Sequence, residues 1–189
     1  MKNLIILAHP IQNSLNHHLK NTLIKHLNLN GNEVRVRDLY KIDFNPVLSE
    51  EDIKKQREGT VSNKIKQEQE HILWADRIIF IYPIWWTGPP AIFKGYIDRV
   101  FSYGFAYCYE QGVQKGLLNG KQCSIINTHG KSHTEYEVIG MNKALSLTSD
   151  CGIFNYCGLN VKQHLYFENA DKATKEMINL WEDKIIATH

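Results

Sequence analysis

The sequence predicts a doubly wound α/β fold, with five parallel strands in the order 2-1-3-4-5 and helices on both faces. Three observations carry that reading. Short apolar runs closed by turn residues alternate with stretches of helical spacing along the whole chain. The run from Ile78 to Tyr82 is apolar throughout, as a strand covered on both faces must be. Crossovers between parallel strands are right-handed, so regular β-α alternation leaves few arrangements other than this one.

Taken in order, Leu4 to Ala8 is apolar and closes at His9-Pro10, which makes it the first and central strand. Ser14 can cap a helix whose positions Leu15, Leu19, Leu23, Ile24 and Leu27 follow helical spacing to a stop near Asn30-Gly31. Glu33 to Leu39 alternates Val34 and Val36 with Arg35 and Arg37, as a strand near a sheet edge does. A long connection follows, with a helical turn over Ser49 to Lys54. Val61 to Ala75 reads as a helix with Ile65, Ile72 and Leu73 inward, feeding the strand Arg77 to Pro83.

That strand runs into Ile84, Trp85, Trp86 and a Thr87-Gly88-Pro89-Pro90 turn, then a helix from Ala91 whose first turn suits the prolines. Gly104 to Tyr109 is extended and aromatic, and a loop marked by Gly112, Gly116 and Gly120 leads to a buried strand, Gln122 to Asn127. Val138 to Ser149 reads as a helix and Val161 to Phe167 as the last strand. Asp171 to Ile186 reads as the last helix, with Ala173, Met177, Leu180, Trp181 and Ile185 inward.

With 189 residues, 43% of them hydrophobic, the chain is expected to form one domain over residues 1–189. A net charge of +2 from 22 basic and 20 acidic residues points to neither nucleic acid nor an anionic membrane. The four cysteines show no zinc spacing and read as reduced thiols. The nine histidines are dispersed, so no metal site is expected. The amino terminus has no signal pattern and no run reaches membrane length, so a cytoplasmic protein is expected.

In such folds ligands bind outside the carboxyl ends of the strands. Three loops meet there: HPIQNSLN, PIWWTGPP and NTHGKSHTEY. The first lacks the glycine patterns of dinucleotide and nucleoside triphosphate sites. It places His9, Ser14 and Asn16 beside the free amides of a helix start, where a phosphate is favoured. Taken singly, each loop has a plainer explanation: Ser14 as a helix cap, the tryptophans as an aromatic plug.

The chain also resembles a known family, the flavodoxin-like NAD(P)H:quinone oxidoreductases, which include NAD(P)H dehydrogenase (quinone) and modulator of drug activity B. The resemblance runs from the first strand to about Gly158. LIILAHPIQNSLN is similar to the family's opening strand and phosphate loop, and RDLYKIDFNPVLSEEDI to its long connection. ADRIIFIYPIWWTGPPAIFKGYIDRVFSYGFAYCY resembles its flavin shelf, and NTHGKSHTEY stands in the place of its Thr-Thr-Gly-Gly loop. CGIFNYCGL resembles its later helix-to-strand passage.

The resemblance implies a flavin, FAD in preference to FMN, with NAD(P)H as hydride donor and a quinone or similar small acceptor reduced by two electrons in a ping-pong cycle. His9, Ser14, Leu15 and Asn16 would hold the flavin phosphate. Pro83, Ile84, Trp85 and Trp86 would line the isoalloxazine, and Asn127, Thr128, His129, Gly130 and Tyr136 its pyrimidine side. Trp86, Thr87, Tyr107 and Tyr109 would border the face where nicotinamide and quinone bind in turn. Tyr136 matches the family's charge-balancing tyrosine. Its histidine partner falls on Asn142, which leaves His129 or His133 to stand in. A homodimer is implied, with exposed aromatics on the helix after the shelf in the contact. Two other classes fit such a fold: a flavin-binding redox-sensing subunit, for example of a potassium efflux system, and a flavodoxin-like electron carrier. The net charge of +2 is unlike the acidic carriers.

Overall fold

A computed structural model describes residues 1–189. In chain order the elements are β1 (Lys2–Leu7), α1 (Leu15–Leu29), β2 (Glu33–Asp38), α2 (Glu50–Arg57), α3 (Asn63–Trp74), β3 (Arg77–Pro83) and α4 (Ala91–Val100). There follow β4 (Tyr107–Glu110), β5 (Val113–Gly116), β6 (Gln122–Thr128), α5 (His133–Val138), α6 (Met141–Ser146), a π-helical segment (Leu147–Asn155), β7 (Asn160–Phe167) and α7 (Lys175–Thr188). The main sheet has the order β2-β1-β3-β6-β7 and is parallel throughout. This is the expected 2-1-3-4-5 order once the β4-β5 hairpin is set aside.

Alternation along the strands sorts the core into two layers. Leu4, Ile6, Ile78, Phe80 and Ile125 face α3, α4 and the π-helical segment. Ile5, Leu7, Ile79, Ile81 and Ile126 face α1 and α7, where Leu19, Leu23, Leu27 and Ile185 meet them. The helices begin where hydroxyls can accept their free amides: Ser14, Ser49, Ser62, Ser132 and Thr174 are all capping residues. Ser49 with Asp52, and Ser132 with Glu135, complete reciprocal capping boxes. The long connection after β2 is docked on α4. Arg99 Nη1 donates to the Asn45 carbonyl at 2.6 Å and Nη2 to Asp52 Oδ1 at 3.0 Å, and Phe44 packs on Tyr96 at 5.1 Å.

Several elements differ from the reading of local pattern. Leu73 and Leu180 are 59% and 67% exposed, because each lies one position off the stripe its helix turns inward. The helix expected over Val138 to Ser149 is broken at Gly140, whose φ of 72° is the left-handed conformation that ends a helix. The chain resumes as α6 and then widens into the π-helical segment. The last helix starts at Lys175 because Thr174 caps it, Met177 N donating to the Thr174 hydroxyl at 3.3 Å. Gly104 to Tyr109 is not a lone extended stretch: β4 pairs antiparallel with β5 across Gln111-Gly112, both at positive φ. The helix after the shelf presents no exposed aromatic, since Phe93 and Tyr96 are fully buried. The exposed rings are Trp85 and Trp86 on the turn and Tyr103 and Tyr109 near the hairpin.

Candidate active site

The carboxyl ends of β1, β3 and β6 bring the three loops together. Ile84 N donates to the Thr128 carbonyl at 2.8 Å, which locks the second loop to the third. His129 N donates to the Phe167 carbonyl at 3.0 Å, and Ala170 N to that of His129 at 3.0 Å, so the loop after β7 joins them. Thr128 Oγ1 donates to Asn16 Oδ1 at 3.0 Å, tying the third loop to the first.

Between them lies a cavity of about 290 Å³. The first loop contributes His9, Leu15 and Asn16, the second Pro83, Ile84 and Trp85, the third Thr128, His129 and Gly130. Ala170 and Asp171, from the loop after β7, complete it. The ring of His9 meets that of Trp85 edge-on at 5.7 Å, and His129 stacks on Tyr136 at 5.0 Å with 10° between planes.

What this cavity offers is unpartnered polar atoms. Asn16 Nδ2 and His129 Nδ1 are buried with no partner in the protein. Buried polar atoms are nearly always paired, and two of the seven unpartnered ones in this molecule belong to residues of this cavity, where a polar ligand would pair them. The first-turn amides of Leu15 and Asn16 also have no acceptor, and they open the 15-residue helix α1. Burial pushes both His9 and His129 below the ordinary imidazole value, so each is a neutral ring at neutral pH. No lysine or arginine lines the cavity. An anion there would be held by backbone dipoles and amides. No group of three or more His, Cys, Asp and Glu side chains is placed to hold a metal ion. All four cysteines are free.

The turn beside this cavity is strained. Trp85 N donates to the Gly88 carbonyl at 2.9 Å and Gly88 N returns a bond at 3.1 Å, leaving Trp86 and Thr87 as the two central residues of a tight reversal. Both have positive φ, 50° and 58°, which an indole and a β-branched side chain avoid. Asn-Gly is the sequence such a turn favours, and the departure here holds Trp86 outward, 98% exposed. The amides of Trp86 and Thr87 are also left free.

The remaining candidate residues lie elsewhere. Ser14 is committed to α1, its hydroxyl accepting from His17 N and lying 3.0 Å from His17 Nδ1. Asn127 is buried on the other side of the sheet, its amide bonded to the Tyr82 carbonyl and to His164. His133 is on the surface against Asn142, away from the cavity. Thr87 borders a second cavity. Tyr107 packs against Tyr156, and Tyr109 OH lies 3.0 Å from Tyr156 OH, near the hairpin. Asp171 and His164 were not legible in the sequence. Asp171 sits in a polar stretch without a motif, and His164 is one residue of an ordinary strand alternation.

The fold and this site define an α/β protein with a cavity lined by unpartnered polar atoms at the carboxyl edge of a parallel sheet. A family model of the flavodoxin-like fold matches residues 1–185, and the chain belongs to that family. It is 42% identical over 189 residues to an uncharacterized NAD(P)H oxidoreductase of Haemophilus influenzae, covering 97% of this chain and 94% of that one. Over 178 residues it is 33% identical to NAD(P)H dehydrogenase [quinone] 1 of Cavia porcellus, covering 84% of this chain and 65% of the relative. A solved structure of a candidate quinone reductase from Klebsiella pneumoniae superposes with a TM-score of 0.91 at 33% identity, covering 99% of this chain and 83% of that one. No helix is long and apolar enough to cross a membrane.

Proposed function

We propose that this chain is a flavin-dependent NAD(P)H oxidoreductase that reduces quinones or related acceptors by two electrons, working as a single domain in a cytoplasmic homodimer. The observation that carries the reading is the three-loop cavity with its unpartnered polar atoms, Asn16 Nδ2 and His129 Nδ1, beside the free amides of α1. The names of its relatives support the same activity.

The residues present fit a flavin. Leu15 and Asn16 would receive the phosphate or pyrophosphate at the start of α1, FAD in preference to FMN. Pro83, Ile84, Trp85 and the free amides of Trp86 and Thr87 would line the isoalloxazine, and Thr128, His129 and Gly130 its pyrimidine edge. When bound, the flavin supplies the redox chemistry, accepting a hydride from NAD(P)H and passing it to the quinone in a ping-pong cycle. The protein's own part is alignment, exclusion of water by the aromatic shelf, and donors aimed where negative charge develops. His129, neutral through burial and stacked on Tyr136, would bring an unpartnered ring nitrogen, Nδ1, to that edge. Tyr107 and Tyr109 lie near the hairpin of their own chain, so they would border the acceptor face of a partner copy. Exposed Trp86, Tyr109 and Val113 support such a contact.

The test is reconstitution of the purified protein with FMN and FAD, followed by absorbance spectra and NADH or NADPH oxidation with a quinone. A yellow protein that turns over is expected. A colourless one that takes up neither flavin overturns the reading.

A further inference from the structure

A buried polar chain crosses the sheet beneath the functional loops and takes no part in the site described above. His164, on β7, has both ring nitrogens engaged: Nδ1 lies 2.7 Å from Asp150 Oδ1 and Nε2 lies 2.6 Å from Asn127 Oδ1. The orientation of the Asn127 amide is set by its other end, where Nδ2 donates to the Tyr82 carbonyl at 2.9 Å. Oδ1 therefore faces the imidazole as an acceptor. Asp150 is an acceptor as well, already taking the Ser146 hydroxyl at 2.9 Å and the Ser149 hydroxyl at 2.8 Å. The Tyr166 hydroxyl also lies 3.1 Å from Nδ1, so three side chains hold the ring in place. Tyr166 covers it, stacked at 3.9 Å. The side chains of His164 and Asp150 are 7% and 15% exposed, and His164 lines a second cavity of about 360 Å³ walled by Tyr82, Phe93, Leu145 and Ile153.

The position of this chain gives it a purpose. Tyr82 and Asn127 are register partners on β3 and β6, and Asn127 and Tyr166 on β6 and β7, so the network spans the carboxyl ends of three adjacent strands. The residue after Asn127 is Thr128, whose hydroxyl holds Asn16 Oδ1 and so turns Asn16 Nδ2 towards the three-loop cavity. The widened turn of the π-helical segment is what brings Asp150 to β7. Burial alone would raise the Asp150 carboxyl, but His164 and the two serine hydroxyls more than offset it and hold it below the usual value.

We propose that His164, clamped by Asp150, is a positioning residue that fixes Asn127 and thereby the β6 end that presents Thr128, His129 and Gly130 to the flavin. This rests on the flavin reading, and the tests separate the two. Two readouts carry it, the first needing no flavin at all. In nitrogen-15 NMR spectra, His164→Leu should move the side-chain amide signal of Asn127 and the backbone amide signal of Thr128 from their wild-type positions; unmoved signals overturn the proposal. Second, His164→Leu and Asp150→Leu should each weaken FMN or FAD binding about tenfold, since each removes part of the hydrogen-bonded clamp on Asn127. The double variant should bind flavin no worse than either single one, because the two residues act as a unit. Single variants that fold and bind flavin as tightly as the wild type overturn the positioning role while leaving the function intact. Wild-type protein that binds no flavin overturns the function instead.

Discussion

Trp86 and Thr87 are where the strain of this molecule is concentrated. Two consecutive residues with side chains ill-suited to positive φ form the turn, and the exposed indole gains no burial in return. Thr87→Gly should therefore stabilise the chain by about 1 kcal/mol in denaturant unfolding. An unchanged midpoint would mean the turn is relaxed. Trp86→Ala should change stability by no more than about 0.5 kcal/mol, since the ring is on the surface. It should lower quinone turnover more than flavin retention. The opposite pattern would exchange the roles given to shelf and cavity. The tryptophans themselves are plain in the sequence, but their backbone conformation is not, because nothing in Trp-Trp-Thr-Gly favours a left-handed pair.

At the scale of elements, α4 shows how a weak helix former can be the best residue available. Gly95 sits in mid-helix, where glycine ordinarily destabilises. An added Cβ would lie 2.1 Å from the Pro46 carbonyl oxygen, so the docked connection after β2 leaves room for nothing larger. Gly95→Ala should cost about 3 kcal/mol and lower Tm by about 6 to 12 °C in calorimetry. A Tm within a degree of wild type would show that the connection shifts freely. The same element scale explains where local reading stopped short. Capping serines and apolar periodicity mark α1, α3 and β3 well. They do not mark the π-helical segment, where Asp150 meets His164 of β7, a partner 14 residues further along the chain.

For the whole molecule, acid sensitivity follows from buried imidazoles. Burial holds His9, His71, His129 and His189 below the ordinary value of 6.5, His189 at about 4. In the unfolded chain these groups take up protons near pH 6.5, and the folded chain resists doing so until the pH is lower. Their contribution is therefore fully present above about pH 6.5 and is lost as pH falls towards 4. His189 alone accounts for about 3 kcal/mol of that loss. His189→Gln should flatten the fall in urea midpoint between pH 6.5 and 4. A slope equal to that of the wild type would assign the acid sensitivity to other groups.

The sequence by itself determined the parallel sheet, its strand order and the three loops that meet at its carboxyl edge. Strand and helix periods, punctuation and crossover handedness are local or topological, and each is written in consecutive residues. Only the tertiary structure decided which members of those loops face the cavity. Asn16, His129 and Trp85 line it, whereas Ser14 caps a helix, Asn127 turns to the opposite side and His133 stays outside. Side-chain direction at a strand end depends on which partner across the sheet satisfies each polar atom. Asp171 and His164 became visible for the same reason, since a partner distant in sequence leaves no trace in the local pattern.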